Sequence, residues 1–406
     1  MKICHTSDWH LGHRLCGQRR EEEFAAFLAW LVETLQREAV EVLLIAGDLF
    51  DTAAPNNRAQ ELYYRFLAQI AGSTCRHVVV IGGNHDSPSF LDAPRKLLAA
   101  LQVHVIGAIG EDPAEEVLVL PGLNGAPELL VCAVPYLRDR DIRFSEAAES
   151  VETKDRKLVE GIRDHYAVVV DLAMQRRQAL GGEIPIIVMG HLFASGGRVH
   201  EGEGVRDLYV GSLAQIPVTL FPEGVDYLAL GHLHLAQQLG GSETRRYSGS
   251  PLALGFGEVG REKSLCLVTF QGRHATVSLL PVPVFQPLES IRGNRERILA
   301  RMSTLVAENK PIWVEVLHAD DAPIGDLRLR LNEMVAGSPV MMLRIRDERL
   351  LMAGLSGLDP DEEIEALDEQ MVFERCLELR GISECQRDDL RRAYQEIIES
   401  LNHEET

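Results

Sequence analysis

The chain has 406 residues, 46% of them hydrophobic, and a formal net charge of −20 at pH 7. That length predicts more than one domain, or one large domain with appendages, and ample apolar material for a core. The acidic balance excludes a simple nucleic-acid binder with an overall basic surface, although over half of the excess lies in residues 351–406, where 16 Asp and Glu face 5 Lys and Arg for a net of −11.

In chain order, "KICHTSD" (2–8) reads as a strand, with neither the apolar run nor the cleavage site of a secretory leader. "REEEFAAFLAWLVETLQRE" (20–38) places Phe24, Phe27, Leu28, Leu31, Val32 and Leu35 at helical spacing. "VEVLLIAGD" (40–48) predicts a buried strand, a second helical pattern runs over about 56–70, and "HVVVIGGNHD" (77–86) is strand again. Strand, helix, strand, helix, strand predicts an α/β layer architecture. Further strands are "IPIIVMGH" (184–191), "VDYLALGHLH" (225–234) and "SLCLVTF" (264–270). The Pro-rich "LLPVPVFQPL" (279–288) marks a boundary. "PIWVEVLHA", "IGDLRLRLNEMV" and "VMMLRIRD" then predict a strand-helix-strand module to about residue 350. "GLSGLDPDEEIEALDEQ" (354–370) is an acidic connector, and Leu390, Tyr394, Ile397, Ile398 and Leu401 form an amphipathic stripe. No stretch of about 18 apolar residues occurs, so no membrane span is expected. The seven scattered cysteines include no C-x-x-C, which fits a reduced, cytoplasmic setting without disulfides or a cysteine-zinc site. Basic density is confined to Arg14, Arg19 and Arg20 and to Lys154, Arg156 and Lys157.

The strand ends share one feature. The first ends "SDWH" (Asp8, His10), the second "GDLFD" (Asp48), the third "GNHD" (Asn84, His85, Asp86), the fourth "GH" (His191) and the fifth "GHLH" (His232, His234). In α/β sheets ligands bind beyond the carboxyl ends of strands. Taken singly, each has a plain structural reading: Asp8 as a helix cap, His191 as a core histidine, "GNHD" as a turn, and His232 with His234 as a hydrogen-bonded pair. Taken together, metal-type residues end five consecutive candidate strands. Asp8, His10, Asp48, Asn84, His191, His232 and His234 are too many ligands for one zinc ion. They suit two divalent ions sharing one carboxylate. Asp48, alone at a central strand end, is the best bridge. Mixed nitrogen and oxygen donors suit Mn²⁺, Fe²⁺ or Zn²⁺ better than Mg²⁺ or Ca²⁺.

D-x-H, G-D-x-x-D, G-N-H-D, G-H and G-H-x-H, in this order, resemble the calcineurin-like metallophosphoesterase superfamily over about residues 1–275. "HTSDWHLG", "AGDLFDT", "GNHDS", "ALGHLH" and "YSGSPLALGFGE" further resemble SbcD-type nuclease subunits, and this likeness runs the whole length. The resemblance implies an α/β fold: a metallophosphoesterase β-sandwich flanked by helices over 1–280, a small α/β capping domain over 281–350, and an acidic connector with partner-binding helices over 351–406. It implies one metal held by Asp8, His10, Asp48 and His234 and another by Asp48, Asn84, His191 and His232, most naturally Mn²⁺. His85 is implied to be catalytic, meeting the scissile phosphate as general acid or transition-state stabiliser. Asp86 either orients His85 or is a turn residue. Some relatives carry histidine where this chain has Asp51, which is then either an outer partner of the ligands or solvent-facing.

The implied activity is DNA phosphodiester cleavage for repair and recombination: exonuclease on duplex ends, endonuclease on single strands or hairpins. The implied partners are an SbcC-type ATPase subunit and DNA, with a homodimer inside a heterotetramer and no membrane. No G-x-x-x-x-G-K-[ST] occurs, so a nucleotide site would come from the partner. The tail stripe either docks on that partner or packs on its own domain. Another substrate, a small phosphodiester or nucleotide, is the alternative reading. A non-catalytic scaffold would be expected to have lost ligands, and none is missing.

Overall fold

The computed structural model describes residues 1–142, 151–194, 221–222, 224–319 and 324–347, with the single positions Leu377, Arg387, Leu390, Arg391 and Tyr394. The acidic connector lies outside the described residues, as does the tail stripe apart from Leu390 and Tyr394. The first strands are β1 (Lys2–Thr6), β2 (Arg14–Leu15), β3 (Gln18–Arg19), β4 (Val42–Ala46), β5 (His77–Ile81), β6 (Val103–Ile106), β7 (Val117–Pro121) and β8 (Pro127–Ala133). They are followed by β9 (Ile186–His191), β10 (Tyr227–Gly231), β11 (Gln237–Leu239), β12 (Ser242–Tyr247), β13 (Ser264–Gln271) and β14 (His274–Pro281). The last are β15 (Leu288–Gly293), β16 (Ile312–His318) and β17 (Val340–Asp347). The helices are α1 (Glu21–Arg37), α2 (Asn57–Ile70), α3 (Pro88–Asp92), α4 (Arg95–Ala99), α5 (Asp139–Ile142), α6 (Val151–Ala179), α7 (Arg295–Glu308) and α8 (Ile324–Val335).

The chain divides into two compact units, Met1–Ser290 with Pro311–Val314, and Ile291–Lys310 with Glu315–Thr406. The first holds two six-stranded sheets, ordered β14–β13–β1–β4–β5–β6 and β11–β12–β10–β9–β8–β7. β1, β4, β5 and β6 run parallel, as do β8, β9, β10 and β12. The five strands singled out in the sequence therefore split between sheets: β1, β4 and β5 in one, β9 and β10 in the other.

Strand periodicity explains the layering. Successive side chains point to opposite faces, and in these strands both faces are buried. Val42, Leu44 and Ala46 of β4 join Val79 and Ile81 of β5 in a core shared with Leu129, Val131 and Ala133 of β8, Ile187 and Met189 of β9, and Tyr227 and Ala229 of β10. The alternate residues Leu43, Ile45, Val78 and Val80 face Phe24, Phe27, Leu28 and Leu31 of α1 and Leu62, Phe66 and Ile70 of α2. On the far side, Leu130, Cys132, Val188 and Leu230 pack on Leu158, Ile162, Tyr166, Val169 and Ala173, the apolar stripe of α6. The result is a helix-sheet-sheet-helix stack. Local signals fix the helix starts: Asn56 caps α2 by accepting from the Ala59 backbone N–H at 2.9 Å, and Glu21, Glu22 and Glu23 suit the positive end of α1.

The Pro-rich boundary is shorter than its sequence suggests. Leu279, Leu280 and Pro281 still pair with β13, with Pro281 opposite Ser264. β14 is an edge strand, where a missing N–H is tolerated. The second unit carries α7 and α8, and the three-stranded sheet β15–β16–β17 completes the described elements. Ile298, Met302, Leu305, Val316, Leu327 and Leu331 are among its buried apolar residues.

Leu44 is wholly buried between the two large sheets. Leu44→Ala should therefore cost about 2–5 kcal/mol of unfolding free energy, read from urea denaturation followed by circular dichroism. A loss under about 1 kcal/mol would contradict the shared interlayer core.

Candidate metal centre

The carboxyl ends of β1 and β4 in one sheet meet those of β9 and β10 in the other, and all seven expected ligands gather there. Asp8, His10, Asp48, His191 and His234 are buried; Asn84, His85 and His232 are half-buried. The loops after β1 and β4 are laced as an extension of the parallel pairing. The Asp8 N–H donates to the Gly47 carbonyl at 3.0 Å, His10 N–H to Asp48 at 3.0 Å and Leu11 N–H to Leu49 at 3.0 Å. Asp8 (φ 53°), His10 (47°) and Asp48 (48°) in these loops, and His232 (101°) after β10, all lie in the left-handed region. Each such residue costs on the order of 1–3 kcal/mol, which the surrounding hydrogen bonds offset. Two glycines permit the sheets to approach. A side chain at Gly231 would run into the Ala46 carbonyl, and one at Gly47 into the His191 ring.

Asp48 sits centrally. Oδ1 accepts from the His85 backbone N–H at 2.9 Å, and Oδ2 lies 3.3 Å from His191 Nε2 and 3.6 Å from His10 Nε2. The Asp8 carboxylate accepts from the His232 N–H at 3.0 Å and from the Ser7 hydroxyl, itself 2.8 Å from Ser248 Oγ. The Asn84 amide oxygen lies 2.9 Å from His191 Nε2 and 3.1 Å from His232 Nδ1. His191 Nδ1 donates to the Ala46 carbonyl at 2.9 Å, which directs Nε2 inward. His234 Nδ1 is 3.5 Å from Glu258 Oε1, and Lys263 Nζ holds the other Glu258 oxygen at 2.5 Å. His85 packs edge-on against His10, ring centroids 4.8 Å apart, and its Nδ1 donates to the Asp51 main-chain carbonyl at 2.9 Å.

Asp86 has a structural task. Its carboxylate accepts from the backbone N–H groups of Leu49 (3.1 Å), Phe50 (2.9 Å) and Gly83 (2.9 Å), tying the "GNHD" loop to the Asp48 loop. What orients the His85 ring is Asp51. Sequence reasoning missed Glu258, the only acid in "YSGSPLALGFGE"; the one available signal was a carboxylate ending an apolar run.

The charges explain themselves. Burial opposes the ionised Asp48, yet His191, with His10 and His85, holds its carboxyl well below the usual range. Burial lowers His191, but the adjacent Asp48 raises it to about 9. His232 is lowered to about 3 by burial and by His191. Asp86 is raised to about 6 by burial and by Asp48. Glu258 is opposed by burial but falls to about 2 because His234 and Lys263 face it.

The donor set fits divalent cations. Ligand atoms of Asp8, His10 and His234 lie within 4.8 Å of one another, as do those of Asp8, Asp48 and His191. Nε2 of His10 is buried without a hydrogen-bond partner, an arrangement that a cation would satisfy.

Comparisons with known proteins agree with this chemistry. Residues 1–236 match the calcineurin-like phosphoesterase family, and residues 284–380 match a domain described as the type 5 capsule protein repressor C-terminal domain. The D subunit of the SbcCD nuclease of Escherichia coli K12 is 36% identical over 405 residues, covering 99% of this chain and 98% of the relative. Its counterpart in Rhodobacter capsulatus is 32% identical, covering 84% and 86%. That of Bacillus subtilis is 34% identical, covering 68% of each. The chain belongs to the calcineurin-like phosphoesterase family, among the SbcD-type nuclease proteins.

His191 keeps its proton at neutral pH, so an entering cation must displace it. Metal affinity should fall as pH falls, by up to about tenfold per unit for each proton displaced. Titrating Mn²⁺ into weakly buffered protein at about pH 7 should release about one proton or more per chain. Equal affinity at about pH 6 and about pH 8 would contradict this.

Proposed function

We propose that this calcineurin-like phosphoesterase is the DNA-cleaving component of an SbcCD-type complex, acting as an exonuclease on duplex ends and an endonuclease on single strands or hairpins. The observation that carries the reading is the convergence of seven ligand-type side chains from two sheets, with His85 at their edge. The names of its relatives as SbcCD nuclease proteins, one of them matched over its full length, support the DNA substrate and the SbcC-type ATPase partner.

Asp8, His10, Asp48 and His234 would hold one divalent ion, and Asp48, Asn84, His191 and His232 the other. The mixed imidazole and carboxylate set suits Mn²⁺, Fe²⁺ or Zn²⁺, and the resemblance to SbcD-type nucleases favours Mn²⁺. When bound, such a pair supplies charge neutralisation at phosphoryl oxygens and a nucleophile at neutral pH. The chain's own residues do the rest. The loops after β1 and β4 hold the ligands rigidly, so the phosphate is oriented without reorganisation at the moment of reaction. With His85 Nδ1 engaged by a carbonyl, which can only accept, Nε2 is the atom that exchanges a proton with substrate. Protonated there, His85 donates to the leaving 3′ oxygen.

Residues 281–350 act as the capping domain over the DNA, and residues 351–406 dock on the ATPase, which supplies the nucleotide site. A homodimer within a heterotetramer follows the same reading, as does a cytoplasmic setting, in keeping with the free thiols of Cys4, Cys16, Cys75, Cys132 and Cys266. Among the described residues no helix is long and apolar enough to cross a membrane.

On end-labelled linear duplex and hairpin DNA with Mn²⁺, the parent chain should cut, and His85→Ala should be slower by about 10²–10⁴-fold while still binding metal. If DNA stays intact even with an SbcC-type partner and ATP, yet a small phosphodiester is hydrolysed, the small-substrate reading replaces this one. A chain truncated before Leu350 should fail to co-elute with the partner in size-exclusion chromatography and retain metal-dependent cleavage. Loss of cleavage in that truncation would sink the division of labour.

A further inference from the structure

Asp51 lies outside the seven expected ligands, yet three histidines converge on it, and its carboxylate lies within 4.8 Å of ring nitrogens of His10 and His85. Its backbone N–H donates to the Leu11 carbonyl at 3.2 Å, fixing it beside the loop that follows β1. Its Oδ1 stands 3.3 Å from His10 Nδ1 and 3.0 Å from His13 Nδ1. Its main-chain oxygen accepts from His85 Nδ1 at 2.9 Å. His13 in turn reaches the Leu254 carbonyl through Nε2 at 2.9 Å. The side chain is only 24% exposed, so it does not simply face solvent.

The two nitrogens of His10 look in different directions. Nε2 faces Asp48 Oδ2 at 3.6 Å, and Nδ1 faces Asp51 Oδ1 at 3.3 Å. Asp51 therefore stands behind the ring, on the side away from Asp48. A histidine that ligates through one nitrogen needs its other N–H held, and a carboxylate there fixes tautomer and orientation. We propose that Asp51 is the positioning residue of the centre: its carboxylate holds His10 with Nε2 turned toward the cation site, while its main-chain carbonyl holds His85. One residue thereby sets the spacing between a ligand and the proton carrier, and His13 braces it against the Leu254 loop. This assignment rests on reading His10 as a ligand.

The two roles separate by mutation, because Asp51→Asn removes the carboxylate and leaves the main-chain carbonyl. Mn²⁺ binding to the full chain is measured by isothermal titration calorimetry. The parent should take two ions, and Asp51→Asn should bind one of them about 10–100-fold more weakly with the other unchanged. Hydrolysis of bis(p-nitrophenyl) phosphate by Asp51→Asn should return to the parent rate at saturating Mn²⁺, whereas His85→Ala should stay slow at any Mn²⁺ concentration. A merely structural residue would not be rescued by metal. If Asp51→Asn does not fold, as read by circular dichroism, Asp51→Ser is measured with the same expectations. Both affinities within about twofold of the parent would overturn the role of Asp51 and leave the ligand set standing. Both ions weakened together, with a lower urea midpoint, would overturn it in favour of a structural role. A parent chain that binds no ion would overturn the ligand set itself, and this assignment with it.

Discussion

Two carboxylates, Asp8 and Asp48, are buried at the ends of neighbouring parallel strands, 0% and 2% exposed. Burying one anion is costly unless it is paired and hydrogen-bonded, and burying two side by side is more so. Much of the local architecture supplies their compensation. The Asp8 carboxylate takes the backbone N–H of His232, which belongs to the opposite sheet, and the hydroxyl of Ser7. Asp48 takes the N–H of His85 and faces His191, also from the opposite sheet. The groups that stabilise these carboxylates thus also fasten the two sheets at their carboxyl ends.

That fastening carries a local cost. Four residues at the centre hold left-handed backbone without being glycine. Such conformations persist where the surroundings over-determine them; the lacing of the β1 and β4 loops does so for three of them, and the Asp8 carboxylate holds the His232 N–H. The side chains of the centre are thereby positioned by main-chain hydrogen bonds within the fold itself.

A second ring of acceptors sets the histidines. The Ala46 carbonyl faces His191, Glu258 faces His234, and Asp51 faces His10, His13 and His85. At His191, His234 and His10 the acceptor faces Nδ1, which leaves Nε2 as the free ring nitrogen. Two of these acceptor contacts, at His191 and His85, involve main-chain carbonyls, whose positions depend on the path of the chain and not on which side chain is present.

Composition and pattern determined a good deal by themselves. The apolar runs at 42–46, 77–81, 186–191 and 227–231 are long enough and apolar enough to be buried strands, and each forms one. The stripes at 24–35 and 59–70 are helices for the same reason of period. The strand-end Asp, Asn and His residues pointed to a metal centre because those residue types gather nowhere else in that order. The stretch 87–183 was far less legible, since α6 spreads its contacts over 29 residues and β6 to β8 have no chemical marker. Tertiary structure alone decided that the five strands divide between two sheets, because parallel pairing leaves no local trace in sequence. It alone gave Asp86 a backbone to hold and Asp51 three histidines to face, because those contacts join loops 34 to 41 residues apart through geometry that no spacing encodes.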